Sequence, residues 1–215
     1  MNQRTRASTI LKRLKRTYKV RGPFIDGENP LELLIATVLS AQCTDVRVNM
    51  VTKSLFQKYK TAQDYARANL QELERDIHST GFYKAKAKYL QGIGAALVER
   101  FGGKVPQRFE DLVTLPGVGR KSANLIMAKA FGKPTGVAVD THVFRVAPRL
   151  GLTKGKTPDA MAHDLEKLYA PKDYLDVNEY LILHGRATCA PRKPKCPACV
   201  LRDICPSKKI HHPEM

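Results

Sequence analysis

Apolar side chains recur three and four positions apart along nearly the whole chain and seldom alternate, so the pattern predicts helices throughout. The segment 29–42 opens with Asn29 as N-cap, Pro30 at the first helical position and Glu32 set to close a capping box. The same spacing predicts helices over 45–59, 70–77, 83–101, 109–115, 120–131, 141–150, 158–169 and 177–189, with short polar breaks between them. Nearer the start, Ile10, Leu11 and Leu14 fall at helical spacing in a stretch rich in arginine and free of acids. That composition resembles a mitochondrial transit peptide, but the apolar stripe favours a helix that packs. Only short runs such as 136–139 suit extended backbone, so the expected fold class is all-α.

The clearest break is Gly-Lys-Pro-Thr-Gly at 132–136. Beyond it lies a segment that ends in four cysteines, and the first helix has no apolar partner near it in sequence. The expected organisation therefore docks that first helix on the C-terminal half. The middle helices would form a second lobe, with a cleft between the two.

At 215 residues and 43% hydrophobic content, the chain can bury a sizeable core. A formal net charge of +17 changes the picture, because counterions released from a polyanion drive such a surface onto it. Nucleic acid is the leading partner, and a merely basic solvated surface is the plain alternative. No run of about 18 apolar residues could span a bilayer, and the first residues lack the apolar centre of a secretory signal. A cytoplasmic protein without a membrane partner is expected. Five cysteines in such a chain point to metal or redox chemistry rather than a disulfide framework.

Cys189, Cys196, Cys199 and Cys205 are separated by six, two and five residues. Four thiolates in so short a stretch can surround one centre, either tetrahedral zinc or a [4Fe-4S] cluster. Zinc sites more often show two close cysteine pairs, and this tail has one, which favours iron–sulfur. Between the first two thiols, Arg192, Lys193 and Lys195 lie on a short loop suited to phosphate contact, unless it is only a solvated turn. Cys43 has no partner in sequence and is assigned no role.

The run Leu-Pro-Gly-Val-Gly-Arg-Lys at 115–121 joins a glycine turn to a helix and sets Lys121 within its first turns. A helix N-terminus welcomes an anion and disfavours a neighbouring ammonium. Lys121 is thus either an ordinary surface charge or an amine placed to lose its proton.

The run 115–123, Asp140 in the Val-Asp-Thr-His-Val segment nineteen positions after Lys121, the run 181–189 and the cysteine tail together resemble the endonuclease III family of the helix-hairpin-helix superfamily. The resemblance covers essentially the whole chain. It implies a six-helix barrel over 22–133 carrying the helix-hairpin-helix at about 108–131, and a [4Fe-4S] cluster domain formed by 1–21 and 134–215, with DNA across the cleft. It also implies a bifunctional DNA glycosylase and AP lyase of base excision repair, acting as a monomer on double-stranded DNA with damaged pyrimidines or abasic sites. In a bacterial cell such a protein would associate with the nucleoid through its substrate. On this resemblance Gly117, Val118 and Gly119 offer N–H groups to a phosphate, Lys121 attacks C1′ of a flipped nucleotide, and Asp140 manages proton and charge. Cys189, Cys196, Cys199 and Cys205 hold the cluster.

Gln42 matches a residue that family members push into the gap left by the flipped base. Phe82 stands where many members carry a leucine wedge, which leaves lesion preference open; its plain alternative is a core aromatic. Related adenine glycosylases lack lysine at the position of Lys121 and continue into a further domain. The alternatives are a largely monofunctional glycosylase for mismatched thymine or uracil, a non-catalytic hairpin DNA-binding module, and an iron–sulfur electron carrier.

Overall fold

The computed structural model describes residues 2–20 and 25–208. The chain divides into two compact units, Gly22–Lys133 and Met1–Arg21 with Pro134–Met215. The boundary expected between residues 21 and 22 lies outside the described residues. Regular structure among the described residues is helical throughout: α1 (Gln3–Thr17), α2 (Pro30–Leu39), α3 (Asp45–Lys58), α4 (Ala62–Ala66), α5 (Leu70–Asp76), α6 (Tyr83–Phe101), α7 (Phe109–Leu112), α8 (Arg120–Phe131), α9 (Thr141–Arg149), α10 (Pro158–Leu168) and α11 (Tyr174–Ala187). The all-α expectation therefore holds.

In the unit Gly22–Lys133 the core is built round α2, whose residues from Leu33 to Leu39 are all buried. Each fully buried leucine or isoleucine there contributes about 1.5–3 kcal/mol. The Asn29 side chain accepts the Glu32 N–H at 3.0 Å, as an N-cap should. The Glu32 carboxylate, however, takes the N–H of Glu28 instead of closing the box on Asn29. Helices α3, α6 and α8 pack on α2, and α6 also packs closely on α4. Gly94 permits that approach, since a Cβ on it would lie 2.5 Å from the Ala66 nitrogen.

In the other unit, α1 buries Ala7, Ile10, Leu11 and Leu14 and packs on α10 and α11. The Tyr169 hydroxyl donates to the Ala7 carbonyl at 3.1 Å, and Lys15 pairs with Asp176. Helix α9 lies against α10 and α11.

Several boundaries differ from the periodic pattern. Helix α7 stops at Leu112 rather than running to 115, because Leu115 precedes Pro116 and the chain there turns. The residues 137–139 form no strand: the Val137 N–H donates to the Glu166 carboxylate and the Ala138 carbonyl accepts from Asn178.

Candidate functional site

The turn between α7 and α8 is shaped from within. Gly117 has φ of 72° and faces the Tyr89 ring so closely that a Cβ would meet ring carbon at 2.8 Å. The Val118 side chain is buried and its N–H donates to the Leu115 carbonyl at 3.1 Å, so Val118 closes the turn rather than presenting its N–H outward. Gly119 is the N-cap of α8, and no side chain caps that helix. An uncapped helix N-terminus leaves backbone N–H groups that can receive an anion. Lys121 is the second residue of α8 and is exposed. The Arg120 guanidinium stands 5.3 Å from the centre of the Phe109 ring, which ties the start of α8 to α7.

Two further loops in this unit carry the remaining expected contacts. Gln42, past the end of α2, has φ of 52° and is exposed. Phe82, the residue before α6, has φ of 49° and is 66% exposed, so it is not the core aromatic of the plain alternative. Left-handed backbone in a non-glycine residue costs about 1–3 kcal/mol and persists where its surroundings impose it. Between these loops the buried Lys86 ammonium donates to the carbonyls of Leu39 and Thr80, both at 2.8 Å. Cys43 packs partly buried against the core.

In the other unit Asp140 is the N-cap of α9. Its Oδ1 accepts from the N–H groups of His142 and Val143, at 2.9 and 2.8 Å. Both capping bonds fall on that one oxygen, so Oδ2 takes no part in the cap. The approach to Asp140 is held by buried Asn178, whose amide donates to the Ala138 carbonyl at 2.6 Å.

Cys189, Cys196, Cys199 and Cys205 line one cavity together with Arg149 and His184. The cavity encloses about 330 Å³ not filled by atoms, open solvent included. Among the described residues no three His, Cys, Asp or Glu side chains gather as a single metal ion would require. Burial raises the Cys199 thiol; the Leu201 N–H opposes this, and the thiols of Cys205, Cys189 and Cys196 add to it. The donor set is therefore four mutually interacting thiols that metal cations would compensate.

Two arginines four apart on α9 brace this tail. Arg145 donates to the carbonyls of Gly185 and Cys189, while Arg149 donates to those of Ala190 and Pro191 and reaches the Cys189 sulfur at 3.4 Å. His184 is 1% exposed, hydrogen-bonds Tyr18 through Nδ1 and lies 3.9 Å from the Cys199 sulfur. Burial holds its pKa down to about 4, so the ring is neutral near pH 7. Arg192, Lys193 and Lys195 are all exposed around buried Pro194, with Lys193 at φ of 51°.

The structure thus assembles the hairpin, Lys121, Gln42 and Phe82 within one unit, and Asp140, the cysteines and the basic loop within the other. Lys86, Asn178, Arg145 and Arg149 escaped sequence reasoning. The arginine pair was visible as a spacing of four on one helix face, and Lys86 as a lysine on an apolar stripe.

Residues 35–171 match the family model of the HhH-GPD superfamily base excision DNA repair proteins, which defines the class of protein. Endonuclease III of Synechocystis sp. is 50% identical over 206 residues, covering 96% of this chain and 94% of the relative. A solved non-covalent endonuclease III–DNA complex superposes with a TM-score of 0.92 at 39% identity, over 100% of both chains. A trapped covalent endonuclease III–DNA intermediate, an estranged-adenine complex, gives 0.91 at 40% identity, over 98% of this chain and 99% of that one. The chain belongs to the endonuclease III family.

Proposed function

We propose that this protein is a bifunctional DNA glycosylase and AP lyase of base excision repair, taking double-stranded DNA with damaged pyrimidines or abasic sites. The observation that carries the reading is the full-length match to an endonuclease III caught covalently on DNA, in a chain that sets an exposed lysine in the first turn behind the hairpin. Phosphate docks on the N-terminus of α8, with Gly117 and Gly119 admitting its oxygens and Val118 holding the turn from beneath. Gln42 and Phe82 occupy the gap left by the flipped nucleotide, and Arg192, Lys193 and Lys195 hold flanking phosphates.

The neutral Lys121 amine attacks C1′ as the glycosidic C–N bond breaks, and the base leaves with the bonding electrons and acquires a proton. Opening of the sugar yields a Schiff base between Nζ and C1′. Loss of a C2′ proton then expels the 3′ phosphate by β-elimination. Asp140 relays protons and steadies the cationic sugar through Oδ2 while Oδ1 keeps the helix cap. One carboxylate serves both roles.

Cys189, Cys196, Cys199 and Cys205 would hold a [4Fe-4S] cluster. The donor set fits: the four thiols line one cavity, and four cysteine thiolates are what such a cluster takes as ligands. When bound, the cluster supplies a crosslink for the tail, and the substrate chemistry stays on Lys121 and Asp140. On this reading the protein works as a monomer in the bacterial cytoplasm, at the nucleoid through its substrate. Among the described residues no helix is long and apolar enough to cross a membrane.

Borohydride added during turnover on abasic-site DNA should trap a covalent protein–DNA species. Lys121→Gln should lose both trapping and strand cleavage while keeping abasic-site binding. Asp140→Asn should retain most of the cap but slow base release about 100-fold. An adduct that persists in Lys121→Gln would assign the nucleophile elsewhere. Base excision by wild type without trapping or cleavage would leave a monofunctional glycosylase.

A further inference from the structure

Lys86 is one of three lysines spaced by two at the start of α6, and it alone turns inward: Lys84 and Lys88 are exposed, whereas Lys86 is 3% exposed. A buried ammonium is costly unless its N–H groups are paired. Here two are, each at 2.8 Å, to the carbonyls of Leu39 and Thr80. Leu39 is the last residue of α2, three before Gln42, and Thr80 ends the 3-10 turn His78–Thr80, two before Phe82. Both carbonyls therefore belong to the roots of the two loops that hold non-glycine residues in left-handed backbone, Gln42 at 52° and Phe82 at 49°.

Neither loop is braced densely by itself. The first is closed by Cys43 N–H to the Ser40 carbonyl and Ala41 N–H to the Val38 carbonyl; the second by the Thr80 amide and hydroxyl to the Ile77 carbonyl. A Cβ on Gly81 would meet nothing within 4 Å, and packing across the step into Phe82 comes from the His78 and Tyr83 rings, whose centres are 4.4 Å apart. Among the described residues, the Lys86 ammonium bonds to both loops at once.

We infer that Lys86 is a positioning residue that locks the Gln42 and Phe82 loops to each other, so that both side chains enter the DNA gap as one preset wedge. The inference rests on the proposed role of Gln42 and Phe82. Its physical basis is preorganisation: two strained loops fixed before binding pay no ordering cost when the nucleotide leaves the stack. Burial also lowers the Lys86 pKa, which Cys43 opposes, so the two carbonyl acceptors favour the charged form against its desolvation.

The test compares affinity for a duplex carrying a tetrahydrofuran abasic analogue with affinity for the undamaged duplex at one salt concentration. Phosphate contacts are common to both, so their ratio reads gap filling. Lys86→Met keeps length and removes both bonds. It should cut the ratio about tenfold, the scale of a lost stacking side chain, while undamaged-duplex affinity stays within about twofold of wild type. A general loss of folded protein would lower both affinities together; an unmoved ratio in folded Lys86→Met would overturn the inference. Gln42→Ala with Phe82→Ala should lower the ratio as far, and adding Lys86→Met to that pair should lower it no further. If Gln42→Ala with Phe82→Ala keeps the wild-type ratio, the gap-filling assignment falls and this inference with it. If that pair loses the ratio but Lys86→Met retains it, only the lock is wrong. Hydrogen exchange on the unaltered protein covers the case of a variant that fails to fold. Amides of 40–43 and 80–83 should open together with one dependence on denaturant; independent opening would overturn the lock.

Discussion

Gly117 and Gly119 sit two apart in the hairpin and do different work. Gly117 combines φ of 72° with a Cβ position 2.8 Å from the Tyr89 ring, so Gly117→Ala should cost about 1–3 kcal/mol, seen as a lower Tm, and weaken DNA binding through a distorted turn. Gly119 has φ of −89° and open space where a Cβ would go. Gly119→Ala should therefore lose about 1 kcal/mol or less of stability, the difference between glycine and alanine as an N-cap. Its methyl would nevertheless stand before the α8 N-terminus and weaken binding to damaged and undamaged duplex alike. Wild-type affinity in Gly119→Ala would move the phosphate to another site. At this scale the sequence was legible where chemistry is local: a Leu-Pro-Gly-Val-Gly turn can be read without a fold. Lys86 was harder, because Lys84, Lys86 and Lys88 look alike until the apolar stripe of Leu90, Ile93 and Leu97 is extended back one turn.

Helix α9 shows how one element can serve two ends of a site. Its N-terminus is capped by Asp140, and its Arg145 and Arg149 hold the chain round Cys189. The tail beyond has little regular structure besides the short 3-10 turn Cys196–Ala198. Its order comes from these two arginines, from Arg6 and Arg13 of α1, which donate to the Ile204 and Val200 carbonyls and, for Arg13, to the Asp203 carboxylate, and from buried Leu201, with a bound cluster expected to add to them. Purified protein should accordingly be yellow-brown and contain about four iron atoms and as much acid-labile sulfide per chain. Chelation should lower Tm and raise hydrogen exchange over 189–205 before it affects the helices of Gly22–Lys133. One zinc and no iron would replace the cluster with a single-ion site. Most helices announced themselves by spacing, but α4 did not, since five residues cannot display a period. Its signal was the Thr61–Asp64 capping box, in which each residue's side chain takes the other's backbone N–H. The end of α7 was missed for the opposite reason: apolar spacing continued while Pro116 had already fixed a turn.

At the scale of the molecule the +17 charge sets how the protein meets DNA. Binding to undamaged duplex should weaken steeply with salt, and Lys193→Ala or Lys195→Ala should each reduce the slope of log K against log salt by about 1, equally for damaged and undamaged DNA. Affinity unchanged between low and moderate salt would remove the electrostatic docking. The partition into units has a different consequence, in the order of synthesis. Gly22–Lys133 is continuous in sequence, whereas α1 takes its cover from α10 and α11, made only after that whole unit. Closing so long a loop is slow compared with local helix packing. A nascent chain whose Lys133 has just cleared the ribosome should thus carry one finished helical body and, ahead of it, an orphan amphipathic helix. Its Ile10 and Leu14 would stay open to chaperone or protease until translation delivers their partners.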